Sequence, residues 1–303
     1  MPVDINRGTT NVINDPEISQ EIWANALTDS FFMAHARRVT IPGEGVKIQT
    51  ITGEPTANWV GETAAKPVST HTFGAKTVIP YKLAVIEPFS MEFMRDKRAL
   101  YDELVRRLPN ALAKKFDATI MGTTAPGSGF DVLGGATKVS LIPGQGATVY
   151  DQFLAADAAI AAGGGLMGVI GLAPQGKTKV QGAVDQVGRP LFTPGVDSAA
   201  IGNILGAGVD INKNLYVAGT AATQSAAGVP AIVGIAGDFT DAIFGMVNAV
   251  SIELSREATL VNGNDTINLW QQNMVAVKAE VEVAFAVKSA SEFVLLTGDT
   301  PSA

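Results

Sequence analysis

Residues 274–287 read MVAVKAEVEVAFAV. From Val275 through Val277, Ala279, Val281, Val283 and Phe285 to Val287 every odd position is apolar, while the even positions include Lys278, Glu280 and Glu282. Side chains alternate between the two faces of a strand, so this period of two predicts one long strand buried on one side. Such a strand needs neighbours from elsewhere in the chain. The best candidate is the strand expected over 78–87, which makes the domain discontinuous, with residues 123–260 inserted into it.

Between those two strands lies the longest helical pattern. Leu100, Leu104, Leu108, Leu112, Phe116 and Ile120 recur every four residues, and Gly122 supplies a stop. Pro109 falls inside and is expected to kink or divide the helix, because its ring removes a donor and clashes with the preceding turn. Ser90 is suited to cap a short helix over 91–96. Further on, 123–147 reads as glycine-rich loop with one short strand, 149–162 as helix, 166–173 as buried strand and 175–187 as helix. Residues 215–218 and 231–236 read as strands. The middle of the chain is thus an α/β layer.

Two segments are too poor in apolar residues to make a core. Residues 1 to about 30 carry only Ile18, Ile22, Trp23 and Leu27 in a weakly amphipathic patch, which predicts an arm packed on other surfaces. Residues 50–80, TITGEPTANWVGETAAKPVSTHTFGAKTVIP, have strand-like ends around a Gly, Pro and Ser middle and predict a long hairpin. A two-stranded ribbon of that length is marginal in water unless it docks on another surface. Trp59, Val60 and Phe73 are the side chains best suited to anchor it.

Composition narrows the function. The chain has 303 residues, 47% hydrophobic and 17% charged, with a mean hydropathy of +0.22. Soluble proteins carry about 25% charged residues, so much of this surface is expected to be covered. Twenty-two basic against 29 acidic side chains leave a net charge of −7, which disfavours a dedicated nucleic-acid grip. With no cysteine and only His35 and His71, thiol catalysis, disulfides and Cys- or His-based metal sites are excluded by counting. The start MPVDINRGTT has no apolar signal core, and no stretch is long enough to span a membrane, so a soluble protein that stays where it is made is expected.

In order along the chain, NWVGETAAKPVSTHTFGAKTVIPYKLAV (58–85), PFSMEFMRD (88–96), FDATIMG (116–122), DQVGRPL (185–191), AGDF (236–239) and QNMVAVKAEVEVAFAV (272–287) resemble the major capsid protein of tailed double-stranded DNA phages of the Hong Kong 97 type. The resemblance runs from about residue 15 to 297. It implies an α+β fold with an N-terminal arm and lead-in (1–49), an extended hairpin loop (50–80), a peripheral domain with a long helix and sheet (81–122 and 261–303), and an inserted axial α/β domain (123–260). It also implies a non-enzymatic subunit that forms hexamers and pentamers, closing into an icosahedral head around double-stranded DNA. The expected partners are further copies of itself, a portal, and separate scaffolding or decoration proteins. Assembly would take place in the host cytoplasm and the product would reside in the virion, with no cofactor, metal or membrane. The capsid-like sequence starts close to Met1, so scaffolding is expected from a separate protein. An encapsulin-like shell enclosing a cargo enzyme shares the fold and is the alternative.

Three local patterns admit sharper readings. Gly171-Leu-Ala-Pro-Gln-Gly176-Lys177-Thr178 satisfies the phosphate-loop pattern between a strand and a helix. In that reading Lys177 reaches phosphates, while Thr178 and Asp238 serve a magnesium ion. The plainer reading is a strand, turn and helix in a glycine-rich chain. Lys66, Asn273 and Glu280 fit the positions at which the best-known family member forms isopeptide cross-links. A buried Glu280 with a raised pKa would deprotonate Lys66 for attack on the Asn273 amide of another subunit. The plainer reading is an exposed Lys66 and an outward Glu280 on an alternating strand. His35 and His71 read as lone histidines. The basic pairs around Arg37, Arg95, Arg106 and Lys114 are, except for the first, interspersed with Glu92, Asp96, Asp102, Glu103 and Asp117, which reads as solvated or inter-subunit ion pairing.

Overall fold

The C-terminal alternation is realised as a single 14-residue strand, Met274–Val287. The computed structural model describes residues 30–53, 56–62, 65, 66, 68, 72–91, 110–144, 146–185, 187–189, 191, 202–223, 227–247, 251–262 and 265–301. In chain order the strands are β1 (Arg37–Thr40), β2 (Val46–Gly53), β3 (Thr72–Val78), β4 (Tyr81–Ser90), β5 (Thr137–Ser140), β6 (Val169–Leu172), β7 (Asn203–Ile204), β8 (Ala207–Ile211), β9 (Ile232–Gly237), β10 (Ala242–Met246), β11 (Ser251–Ser255), β12 (Thr259–Asn262), β13 (Asp265–Asn268), β14 (Met274–Val287) and β15 (Phe293–Thr297). The helices are α1 (Phe31–His35), α2 (residues 110–121), α3 (Val149–Ala162) and α4 (Pro174–Gln181).

β14 organises the first sheet. β4 runs antiparallel along one edge from Met274↔Ser90 to Val283↔Tyr81, while β11 and β10 take the other edge end to end and β1 adds parallel to β10. The expected pairing of the two strands flanking the long helix is therefore present, displaced three residues toward the C-terminus of β4. Odd-numbered β14 residues Val275 to Val287 are all buried, and Phe285 meets Phe32, Phe116 and Phe130 with ring centroids 5.5, 6.4 and 6.5 Å away. On the even-numbered face Lys278, Glu280 and Glu282 are half-buried, while Ala276 is buried. Ala284 and Ala286 on the same face are also buried, against Ile41 and Val78, because the β2–β3 ribbon crosses there and only small side chains fit beneath it.

The second sheet has the order β5-β15-β9-β6-β8-β7. Its core takes Val149, Phe153, Ala156 and Ile160 from α3 and Val180 from α4 against Ile170, Val233, Val294 and Leu296. α3 starts where a capping box closes: Asp151 N donates to Thr148 Oγ1 and Thr148 N donates to Asp151 Oδ2 (2.7 Å). In α2, Leu112, Phe116 and Ile120 are buried as their spacing predicts, and the helix stops before Gly122. Leu100, Leu104, Leu108, Pro109 and the short helix expected after Ser90 lie outside the described residues. Ser90 itself closes β4.

Several expectations are corrected. The helix expected to reach residue 187 ends at Gln181, because Asp185 Oδ1 accepts from Val187 N (2.8 Å) and Arg189 N (2.7 Å) and folds the chain into a turn. Leu215 belongs to a 3-10 turn, Lys213–Leu215, and only Val217 bridges to Ile232. Strands from both sides of residue 260 join each sheet. β10 and β11 lie inside 123–260 but pair with β14, and β15 lies inside 261–303 but belongs to the second sheet. The reason is local: only Asp238-Phe-Thr-Asp241 separates β9 from β10, so one apolar stretch serves both sheets. Asp117, grouped above with solvated charges, is fully buried.

Candidate assembly surface

The ribbon of β2 and β3 pairs antiparallel from Val46↔Val78 to Gly53↔Thr72, so the hairpin begins four residues before the expected position 50. Its base is fixed to the body. Val78 is buried, and Lys76 Nζ donates to Val287 O (2.6 Å) and pairs with Asp131 Oδ2 (2.5 Å), which also accepts from Val287 N (2.8 Å). Gly45 turns the chain into β2 with φ +86°, a conformation that strains any residue bearing a Cβ. Beyond the paired strands, residues 56–62 have no regular structure except a turn at Glu62. Trp59 is fully exposed, Val60 is exposed and Val68 is 93% exposed. Phe73 pairs with Ile51 through its backbone, while its side chain lies outside the description. The arm of residues 1–29 and His71 are likewise outside it.

A second apolar projection was missed in the sequence. β12 and β13 form a separate hairpin followed by a turn, and Val261 (73% exposed) and Trp270 (72% exposed) stand on it. The signal was present as Asn262-Gly-Asn-Asp265 between Thr-Leu-Val and Thr-Ile-Asn, an Asn-Gly hairpin cue.

The chemical readings fare as follows. β6 ends at Leu172 and α4 begins at Pro174, leaving a single residue between them, too little chain to wrap a phosphate. Gly171 lies in the strand and Gly176, Lys177 and Thr178 in the helix. Lys177 N is already bonded to Ala173 O (2.9 Å), and Thr178 Oγ1 donates to Pro174 O (3.0 Å). Gly176 is required by packing, since a Cβ there would lie 2.5 Å from Val233 O. Asp238 Oδ2 accepts from Leu166 N and Oδ1 from Thr240 N, capping a short 3-10 turn.

The three candidate cross-linking residues stand at separate places in the chain: Lys66 beyond the β2–β3 ribbon, Asn273 just before β14 and Glu280 within it. Lys66 is exposed, and Asn273 sits at φ 50° with its carbonyl accepting from Met91 N. Glu280 lies six residues beyond Met274 on β14, about 20 Å along the strand, so a meeting with Asn273 would have to be between subunits, as that reading has it. It is paired with Lys82 (3.0 Å) and Lys278 (3.6 Å), and the hydrogen bond from Lys82 holds its carboxyl below the usual range. That is opposite to the raised pKa a general base would need. Lys82 also meets Glu282 and Lys278 meets Glu253, so a charged ladder crosses β4, β14 and β11. His35, expected to be alone, meets Asp210 at 3.1 Å. Among the described residues no group of three His, Cys, Asp or Glu is placed to hold a metal, and no helix is long and apolar enough to cross a membrane.

Trp59, Val60 and Val68 lie beyond a ribbon fixed at its base, and Val261 and Trp270 stand on a second hairpin, which is a surface suited to contact with other chains. The phage capsid family model matches residues 11–298. The chain belongs to the phage capsid family. This capsid protein is 32% identical over 297 residues to the "Probable major capsid protein gp17" of Mycobacterium phage D29, covering 93% of this chain and 89% of that one, and 31% identical over 302 residues to its namesake in Mycobacterium phage L5, covering 93% and 88%. A solved chain of Microbacterium phage Oxtober96 superposes with a TM-score of 0.70 at 21% identity, covering 89% of this chain and 91% of that chain. The fold is the Hong Kong 97-like capsid fold, and the function is that of a structural major capsid protein, not an enzyme. The encapsulin-like alternative is not favoured by these similarities.

Proposed function

We propose that this capsid protein assembles into hexamers and pentamers that close into an icosahedral head around double-stranded DNA, with the 54–71 loop of each subunit seated on its neighbour. The observation that carries this reading is the fully exposed Trp59 on a ribbon whose base is fixed by Lys76, Asp131 and Val287. A tryptophan buries about 150–250 Å². At about 25 cal/mol per Å² its coverage by a neighbour contributes about 4–6 kcal/mol per contact, before ordering costs. Val60 and Val68 add to the same surface, with Phe73 as a further anchor in this proposal, and the N-terminal arm acts as a second clamp.

In this reading the β14 sheet with α2 forms the peripheral body and the β9–β15 sheet the axial one. DNA is enclosed without sequence-specific contacts, since a net charge of −7 keeps the protein from gripping phosphates. Subunits are held without isopeptide bonds, because Glu280 is committed to its lysines. Portal and separate scaffolding or decoration proteins complete the particle, which assembles in the host cytoplasm. The test is to replace residues 56–68 by a short Gly-Ser turn that leaves β2 and β3 intact. The variant should remain folded and soluble but give no closed shells by electron microscopy. Closed shells in normal yield would remove the loop from the subunit contacts.

A further inference from the structure

The chain passes between its two sheets twice, at Asp238–Asp241 from β9 to β10 and at Lys288–Glu292 from β14 to β15. The two crossings are hydrogen-bonded to each other: Asp238 N donates to Glu292 O (3.2 Å) and Lys288 N donates to Asp241 O (3.3 Å). Four charged side chains meet there. Lys288 Nζ pairs with Asp241 Oδ2 at 3.0 Å and lies 3.9 Å from Glu292 Oε1. Asp238 is engaged with Leu166 N and Thr240, and just beyond α3 Gly163 and Gly165 come close to Ser291 and Glu292. Glu292 is 4% exposed, and its Oε2 is, among the described residues, the one buried side-chain oxygen or nitrogen lacking a hydrogen-bond partner.

Three carboxyls therefore face one ammonium, and one oxygen of the most buried carboxyl has no donor within the chain. An ionised Glu292 shares Lys288 with the nearer Asp241 and is only partly compensated, whereas a protonated one carries no charge to compensate. Burial pushes the Glu292 carboxyl up; Lys288 opposes this, and Asp241 and Asp238 reinforce it.

We propose that Glu292 is a proton-operated clasp between the two sheets: protonated, it holds the crossings together, and loss of its proton to solvent loosens them and lets the sheets turn about residues 238–241 and 288–292. The sign follows from linkage. The closed clasp binds the proton more tightly than the open one, so closure is favoured at low pH and weakens as pH rises through the raised value. The inference rests on the crossings alone and holds whether or not the shell reading does.

The test is amide hydrogen exchange of the full chain at residues 238–242 and 288–293 from pH 5 to pH 8, corrected for intrinsic rates. The wild-type protein should lose protection in both crossings together as pH rises, beyond any loss at amides in the centres of the two sheets, and E292Q should lose that excess and keep the crossings as protected as the sheets. D241N, which removes one repelling carboxylate and frees Lys288 for Glu292, should shift the wild-type transition to lower pH. A transition that persists in E292Q, or one that D241N leaves in place, would overturn the proposal. So would a wild-type protein whose protection is flat across the range.

Discussion

Asp117→Asn tests how the arm is tied to the body. Asp117 lies on α2, fully buried, where Ser30 Oγ donates to Oδ1 (2.6 Å) and Phe31 N donates to Oδ2 (3.1 Å), so the carboxyl caps α1 just where the chain enters from residues 1–29. Burial pushes its pKa up from 3.8 to about 7 against these hydrogen bonds. Because the folded value lies above the unfolded one, the native state binds the proton more tightly. The penalty is absent well below 3.8, grows through the window between, and is complete above about 7. A shift of this size is worth about 4 kcal/mol in total, of which about 2–3 kcal/mol falls between pH 5 and pH 8. Asparagine cannot ionise, and it keeps both contacts by accepting from Phe31 N and donating to Ser30 Oγ. Urea unfolding of both proteins at pH 5, 6, 7 and 8, followed by far-UV circular dichroism, should show the variant gaining on the wild type by about 2–3 kcal/mol across that range. Glu292 and other titrating groups are common to both proteins and cancel in the difference. A difference that stays constant from pH 5 to pH 8 would refute the reasoning.

Other outcomes follow from the packing. Phe285→Ala empties the centre of the phenylalanine cluster and should cost about 3–5 kcal/mol in urea unfolding, whereas Val261→Ala on the exposed hairpin should cost almost nothing. Gly245→Val should destabilise by about 1–3 kcal/mol or more, because a Cβ at Gly245 would overlap Ile41 Cδ1 and approach Ala284 Cβ to 3.3 Å; wild-type melting behaviour in this variant would contradict the packing of β1 on β10. Particles boiled in detergent should run as one band near 31 kDa, with no ladder, and Glu280→Gln should leave that pattern unchanged.

The parts of the fold written in the sequence are those in which one face meets water and the other the core. β14 with its Lys278, Glu280 and Glu282, α2 with its four-residue spacing and α3 with Thr148 and Asp151 were legible for that reason. β10 was not, because Ala242-Ile-Phe-Gly-Met246 is apolar throughout and abuts β9, so no alternation marks a second strand. Ala284 and Ala286 gave no sign that the ribbon would cover them, since alanine suits either environment. Asp117 was read as a surface charge because its partners, Ser30 and the amide of Phe31, are remote in sequence. At the candidate assembly surface the ribbon's lack of core pointed to Trp59 and Val60, which are exposed, while the pairing of Glu280 with Lys82 and Lys278 could be seen only once β4 was set beside β14.

Negative-stain electron microscopy of the purified full-length protein tests the central claim most directly. Closed polyhedral shells of uniform size are the result this account predicts; small discrete oligomers under every assembly condition would contradict it.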